Sequence, residues 1–389
     1  MYQSVKTNGG LITFTLRLIA RGPIFVGSGE TVSKKEYSFA RNNVYFYDTE
    51  KFFRLIVEND LTNDFEQYML DRNARSLDSF FSRQPVSDRA KAKRCKAYQM
   101  FQPALIYRML GGNAITGTGN QPADIHLFQH NRAGLPYLPG SSVKGALRTA
   151  VTAAQVLNGT QKTQKPSIQL GQTKREIEKA AKSKEKELDV ELFHTLRADE
   201  KNVENAVNSI FRGVAVADSA PINPKYMVLC RKQEVYPDGT SHSINLIRQC
   251  LGPITNWSNS YSIDIPITLD QTLCGLLTPE SILESIRQFD NWYTENVFAK
   301  YPDEGAARFP DPNKYYLFLG GGAGFQSKTV TGPWLGDKAL SYVSDWLAAQ
   351  FGHQNRDDST KYGVSPHILK CAEVNNAHYL FGLCEVEIL

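Results

Sequence analysis

The sequence predicts a mixed α+β protein, because strand-type and helix-type periodicities occur in one chain and follow each other along it. The run LITFTLRLIA at residues 11–20 alternates and is rich in branched and aromatic side chains, as a half-buried strand requires. PGSSVKGALRTA, from Pro139, opens a helix through a Pro-Gly turn, with Ser141 or Ser142 as the expected cap and Val143, Ala146 and Leu147 on the packing side. TPESILESIRQF, from Thr278, opens a second helix with Thr278 as cap and Pro279 in the first turn.

The remaining elements follow in order. After the first strand comes the glycine-containing loop RGPIFVGSGE, then VYFYDTEKFFRLIVE at 44–58, a short strand leading into a helix. Asn59 to Met100 is polar and basic and reads as an insertion, extending to about 112. Within it Arg89, Lys91, Lys93, Arg94 and Lys96 crowd into DRAKAKRCKAY, with Arg72, Arg75 and Arg83 upstream and Tyr98 and Phe101 downstream. A solvated helix face and a nucleic-acid backbone contact explain this run equally well, with Arg89, Lys93 and Arg94 as the candidates for contact. Residues 161–208 mix both signs of charge, the mark of a solvent-facing helical insertion without chemistry. Two strand-like runs follow from IFRGVAVADS onward, separated by a proline-rich turn, and YSIDIPITLD is a further strand. YYLFLGGGAGFQSKTV is a strand running into five residues that are nearly all glycine, and AHYLFGLCEVEIL reads as one final strand. The division expected is 1–160, 161–208 and 209–389.

Bulk properties exclude several classes. With 389 residues and 41% hydrophobic content the chain can bury a sizeable core as one large domain or two to three smaller ones. Forty-four Lys and Arg against 40 Asp and Glu, a net charge of +4, confine any nucleic-acid surface to a local patch. No apolar run approaches the roughly 20 residues of a membrane span, and MYQSVKTNGGLITF lacks a basic region followed by an apolar one, so a cytoplasmic protein without membrane contact is expected. Six scattered cysteines without a CxxC pair fit reduced thiols rather than a zinc ribbon or disulfide framework. His126 and His130 stand at helical spacing near Asp124 but lack the glutamate of HExxH, so they read as polar edge residues; no metal and no cofactor is called for.

Two stretches carry binding chemistry. At the mouth of the helix, Gly140, Ser141 and Ser142 offer free backbone N–H groups, and Lys144 and Arg148 share one helical face behind them, which suits a phosphate. In GGGAG, Gly321, Gly322 and Gly324 permit close backbone approach, with Phe325 and Lys328 just beyond. Phe325 stands where the dinucleotide fingerprint needs its third glycine, and no GxxxxGK[ST] occurs, so neither nucleotide-binding loop is present. Phe325 is either a base-stacking ring or core filler, and Arg212 either meets RNA or bridges two elements.

PYLPGSSVKGALRTA, IFRGVAVADS, FLGGGAGFQSKT and FVGSGE together resemble the repeat-associated mysterious proteins, or RAMPs, of CRISPR systems. Their order, the chain length and the ending SPHILKCAEVNNAHYLFGLCEVEIL are most similar to the fifth subunit type of the type III-A Csm effector complex. The resemblance implies a ferredoxin-like, RRM-related palm with helical insertions and a second RRM-like or irregular α+β half. It implies a non-catalytic subunit that caps the 3′ part of the crRNA and supports its maturation. The implied partners are crRNA, the repeated backbone subunit and the small subunit, with target RNA and host trimming nucleases beyond them. In the family, the repeated backbone subunit cuts target RNA with an aspartate in its early loop. Here that loop, GSGETVSKKEYSF, holds Glu30 and Glu36 but no aspartate, so that activity is not carried over. The alternative is an endoribonuclease of the same fold, drawing on Glu30, Asp218, or His126 with His130.

Overall fold

The alternation of Leu11–Ala20 is realised as a strand whose Phe14, Leu16, Leu18 and Ala20 are buried while the intervening side chains face outward. The computed structural model describes residues 6–40, 43–74, 77–82, 105–110, 123–159, 161–168, 172–253, 261–275, 277–301, 313–351, 358–374 and 377–389. Its strands are β1 (Lys6–Asn8), β2 (Leu11–Ala20), β3 (Gly27–Val32), β4 (Tyr37–Ala40), β5 (Asn43–Phe46), β6 (Leu105–Leu110), β7 (Ile125–Phe128), β8 (Val214–Val216), β9 (Met227–Val235), β10 (Ser241–Leu251), β11 (Ile263–Asp270), β12 (Tyr315–Phe318), β13 (Leu369–Val374), β14 (Ala377–Leu380) and β15 (Leu383–Ile388). The helices are α1 (Thr49–Glu58), α2 (Thr62–Leu70), α3 (Leu77–Ser82), α4 (Gly140–Leu157), α5 (Lys174–Phe193), α6 (Gln271–Cys274), α7 (Pro279–Asn296), α8 (Thr331–Leu335), α9 (Ala339–Phe351) and α10 (Asp358–Lys361).

One sheet runs β12-β15-β2-β11-β8, with β1 also paired to β2, and all these pairings are antiparallel. Register sets Ile265 and Ile267 of β11 opposite Leu16 and Phe14, and Val386 of β15 opposite Leu18. This apolar face is covered by α4 through Val143, Leu147, Ala150 and Val151, and by α7 through Ile282, Leu283, Ile286 and Phe289. On the other face Arg17 grips Asp264 through two nitrogens at 2.8 and 2.9 Å. On β15, between β12 and β2, Glu385, almost fully enclosed, is bonded by Arg21 at 2.7 Å and by Lys314.

The second sheet runs β3-β7-β10-β9-β6-β5-β4, with β13 paired to β9 and β14 to β13. It shares the main core through Ile125, Phe128, Leu229, Ile247 and Leu251. Two isolated bridges, Ile24 with Leu251 and Phe25 with Gly320, tie the sheets together. The helices α1 to α3 form a cluster of their own around Phe52, Ile56, Phe65, Tyr68 and Phe80.

The strands expected in 11–20 and 261–270, the strand and helix expected in 44–58 and the helix expected from Thr278 are present as β2, β11, β5 with α1, and α7, and the charged insertion holds α5, capped by Thr173 with Glu176. Three differences have physical reasons. The expected final strand is two: at Gly382, with φ of 82°, the chain passes so close to Leu319 that a Cβ would stand 2.5 Å from its carbonyl oxygen, and β14 and β15 enter different sheets. The basic insertion stops short of 112, since β6 is a sheet strand pairing Arg108 with Val228. Strands from before residue 160 and after 209 share both sheets, so those boundaries divide the sequence but not the core. Arg89, Lys93 and Arg94 lie outside the described residues. Cys230, Cys250, Cys274, Cys371 and Cys384 are free and buried.

Candidate nucleic-acid interface

The helix mouth is built from two distant stretches. Leu138 and Ser219 bond each other twice, with Leu138 N donating to Ser219 Oγ at 2.9 Å and Ser219 N to Leu138 O at 3.0 Å. Ile222 N then donates to Pro136 O at 2.7 Å. This lacing presses the start of α4 against β8 so tightly that a Cβ on Gly140 would stand 2.2 Å from Val216 O. Glycine at 140 is therefore a packing requirement. The serine cap expected from the sequence is corrected: Pro139 occupies the cap position without a side-chain bond, and Asp218 accepts Gly140 N–H at 2.7 Å instead. Ser141 and Ser142 fall inside the first turn, exposed and half-buried respectively.

That first turn forms one wall of a cleft of about 370 Å³. Ser141, Ser142, Gly145, Ala146 and Thr149 line it from α4, Phe289 from α7, Val26 and Gly27 from the early loop, and Leu317, Phe318, Gly320, Gly321, Ser327 and Lys328 from the glycine-rich segment. Three of the four sequence islands thus meet in one cavity, and the fourth, through Asp218 and Ser219, holds the helix mouth in place. Among the described residues Lys328 is the one charged side chain in these walls, and no carboxylate joins it. An N-terminal helix turn, small residues and a cation make this a setting for negative charge.

The glycine loop is shaped by Phe25. Gly320, at φ of 80°, would place a Cβ 2.2 Å from Phe25 O, and Gly321 N donates to that oxygen at 2.6 Å. Gly322 has φ of 88°, and a Cβ there would lie 1.8 Å from Nη1 of Arg248. Phe325 does not line the cleft; its ring stacks on Trp346 of α9 at 5.7 Å. Gly324 sits beside the stem of Lys370 and Ser327.

The helical face shared by Lys144 and Arg148 turns towards neighbouring elements and not into the cleft. Lys144 Nζ donates to Val214 O of β8 at 2.7 Å, and desolvation, with Arg148 nearby, holds its pKa below the ordinary lysine value. Arg148 Nε donates to Asp189 of α5 at 3.0 Å, and its guanidinium lies 5.1 and 4.8 Å from the rings of Phe193 and Phe211. Both cations tie α4 to neighbouring elements. Arg212 is exposed and donates through Nη1 to Val207 O at 2.8 Å, bridging within its own segment.

Of the residues named for a nuclease, Glu30 and His130 lie near each other, where burial holds the His130 pKa below its ordinary value against the opposing pull of Glu30. His126 lies on strand β7 rather than on a helix, and His130 stands beyond the end of that strand in an isolated bridge with Pro136, so the helical spacing of the pair is not realised. Asp124 accepts Lys34 N–H, Asp218 caps α4, and Glu30 is exposed on β3. Among the described residues no group of three His, Cys, Asp or Glu side chains is placed to hold a metal, and no helix is long and apolar enough to cross a membrane.

Sequence reading missed Arg248, which lies against Gly322 and the ring of Phe25, 4.8 Å from its centroid. No local motif marks it, because its place depends on β10 pairing with β7 and β9.

The model of the RAMP superfamily matches residues 17–323. A Mycobacterium tuberculosis protein (strain CDC 1551 / Oshkosh) named CRISPR system Cms protein Csm5 is 28% identical, over 98% of this chain and 99% of its own. A Streptococcus thermophilus protein of that name is 25% identical, over 82% and 80%. Among solved structures, a chain of a cryo-EM Csm-crRNA-target RNA ternary complex of a type III-A CRISPR-Cas system superposes with a TM-score of 0.63 at 16% identity, covering 96% of this chain and 100% of that one. The crystal structure of T. onnurineus Csm5 gives 0.52 at 16% identity, covering 95% and 99%. At that identity the two structures show a shared fold. The family match runs from β2 through the helix mouth into the glycine loop, taking in every segment of the cleft wall except Ser327 and Lys328, and this chain belongs to the RAMP superfamily.

Proposed function

We propose that this chain is a non-catalytic, crRNA-binding subunit of a type III-A Csm complex, holding the 3′ part of the crRNA by its backbone and supporting its maturation. The observation that carries this is the cleft itself: a helix N-terminal turn, a glycine loop and Lys328 converge on one cavity with no carboxylate in its walls among the described residues. The relatives named Csm5, and the ternary complex containing crRNA and target RNA, support membership of such a complex. The repeated backbone and small subunits are the protein neighbours this reading requires. The chain path β2, α4, β8, β11, α7, β15, with sheet order β15-β2-β11-β8, supports a ferredoxin-like palm, in which two βαβ crossovers interlock.

Gly145 provides the test. Beyond its own helix, no atom of the described residues stands within 4 Å of the position its Cβ would take, and it lines the cleft, so a side chain there enters the cavity without disturbing the helix packing. Gly145→Glu is expected to lower affinity for repeat-derived single-stranded RNA by tenfold or more, and Gly145→Gln by much less. RNA sequenced from the purified wild type is expected to be repeat-spacer RNA. Equal binding by both variants and wild type, or hydrolysis of labelled RNA that survives stringent purification, overturns the reading.

A further inference from the structure

The register of the second sheet gathers cations on one of its faces. Arg248 of β10 pairs with Cys230 of β9 and with His126 of β7, and Lys370 of β13 pairs with Glu234 of β9. Side chains two residues apart on a strand share a face, so Lys232 stands between Arg248 and the Lys370–Glu234 pair. Glu234 is the carboxylate among them, and Lys370 already engages it.

Arg248 is the unusual member. Its Nε and Nη1 are enclosed and have no hydrogen-bond partner among the described residues. Its guanidinium rests on Phe25, 4.8 Å from the centroid, and Phe381 lies at 5.8 Å. Cation–π contact offsets only part of the cost of enclosing these two donor nitrogens unmet. The ring of Phe25 in turn supports Gly321 in the wall of the cleft, so Arg248 lies directly beneath the glycine loop.

We propose that Arg248, with Lys328 and Lys232, forms a phosphate site beneath the glycine loop that takes a backbone phosphate of the RNA in the adjacent cleft. The inference rests on the RNA reading of that cleft. A guanidinium presents donors in a planar fork that matches two phosphate oxygens, and the two lysines supply point charges to the same anion. The electrostatics agree: Lys328 is held below the ordinary lysine range by desolvation and by Arg248, and Lys232 is pushed down to about 8 by burial, Lys370 and Arg248. These cations repel one another until an anion joins them.

The test uses the full chain, wild type and variant, titrated with repeat-derived single-stranded RNA across a series of potassium chloride concentrations. Arg248→Met is expected to reduce the slope of log affinity against log salt by about 0.7, the share of one phosphate on a single strand, while melting at or above the wild-type temperature. Arg248→Lys is expected to keep the slope and lose about tenfold in affinity, because charge remains and the paired donors do not. An unchanged slope in Arg248→Met, or wild-type affinity in Arg248→Lys, overturns the proposal, the latter even where the Met variant fails to fold. Inorganic phosphate distinguishes the source: stabilisation of the wild type by phosphate that Arg248→Met abolishes, with RNA slopes unaltered, assigns the site to free phosphate and overturns the RNA assignment. Binding that falls in Gly145→Glu but not in Arg248→Met sinks this inference alone, whereas wild-type protein that binds no RNA sinks the cleft reading with it.

Discussion

The guanidinium of Arg148 is bonded to Asp189 and lies 5.1 and 4.8 Å from the rings of Phe193 and Phe211, so a residue in the helix-mouth motif docks the charged insertion onto α4. Arg148→Ala is expected to cost about 1–3 kcal/mol through lost packing and cation–π contact. Asp189→Asn should cost about 0.5–1 kcal/mol, since the pair is partly solvated. Denaturant unfolding checks both. The salt slope of RNA binding should not move in either variant, and a fall of one phosphate's share in Arg148→Ala would return the residue to the cleft.

Gly145→Ala is expected to stabilise the protein by about 0.5–1 kcal/mol. The position lies inside an 18-residue helix, has open space beside it, and loses unfolded-state entropy on substitution. Thermal melting reads the gain. A loss of stability would mean that something approaches this helix face in the folded chain.

Asp290 of α7 is buried, its Oδ1 lacks a partner among the described residues, and desolvation pushes its pKa up to about 7. In the unfolded chain it titrates near 4, so between pH 4 and 7 the folded state holds a proton that the unfolded state has released. Stability from this group is complete below pH 4 and is lost as pH rises towards 7. Asp290→Asn, unable to ionise, should melt higher than wild type at pH 8, and the gap should close on acidification. A gap that is constant with pH would show that the carboxyl is neutral or paired throughout.

Glu385 sits almost fully enclosed between Arg21 and Lys314. Removing it by Glu385→Ala takes a shared enclosed carboxylate from two partly buried cations and should cost about 3–5 kcal/mol. Replacing the pair with Arg21→Met and Glu385→Leu together should restore much of that loss, as apolar isosteres do for enclosed ion pairs. Chemical denaturation of the single and double variants decides the point, and additive losses would contradict it.

By itself the sequence determined the elements whose signals are local. The alternation of Leu11–Ala20, the Thr278–Pro279 helix start and the glycines of 320–324 each depend on neighbouring residues, and each appears where its pattern stands. It also marked the segments that build the cleft, because a loop that must pass within van der Waals distance of another backbone can hold only glycine at Gly320 and Gly140. Tertiary structure decided where the charges point. Helical spacing places Lys144 and Arg148 on one face of α4, but whether that face meets solvent, β8 or α5 depends on packing between segments 41 to 70 residues apart. The cap of α4 comes from Asp218, 78 residues downstream of Gly140, and Arg248 reaches the glycine loop only through the register of β10 against β7 and β9. Periodicity reports which side chains share a face; only the meeting of distant strands and helices establishes what that face touches.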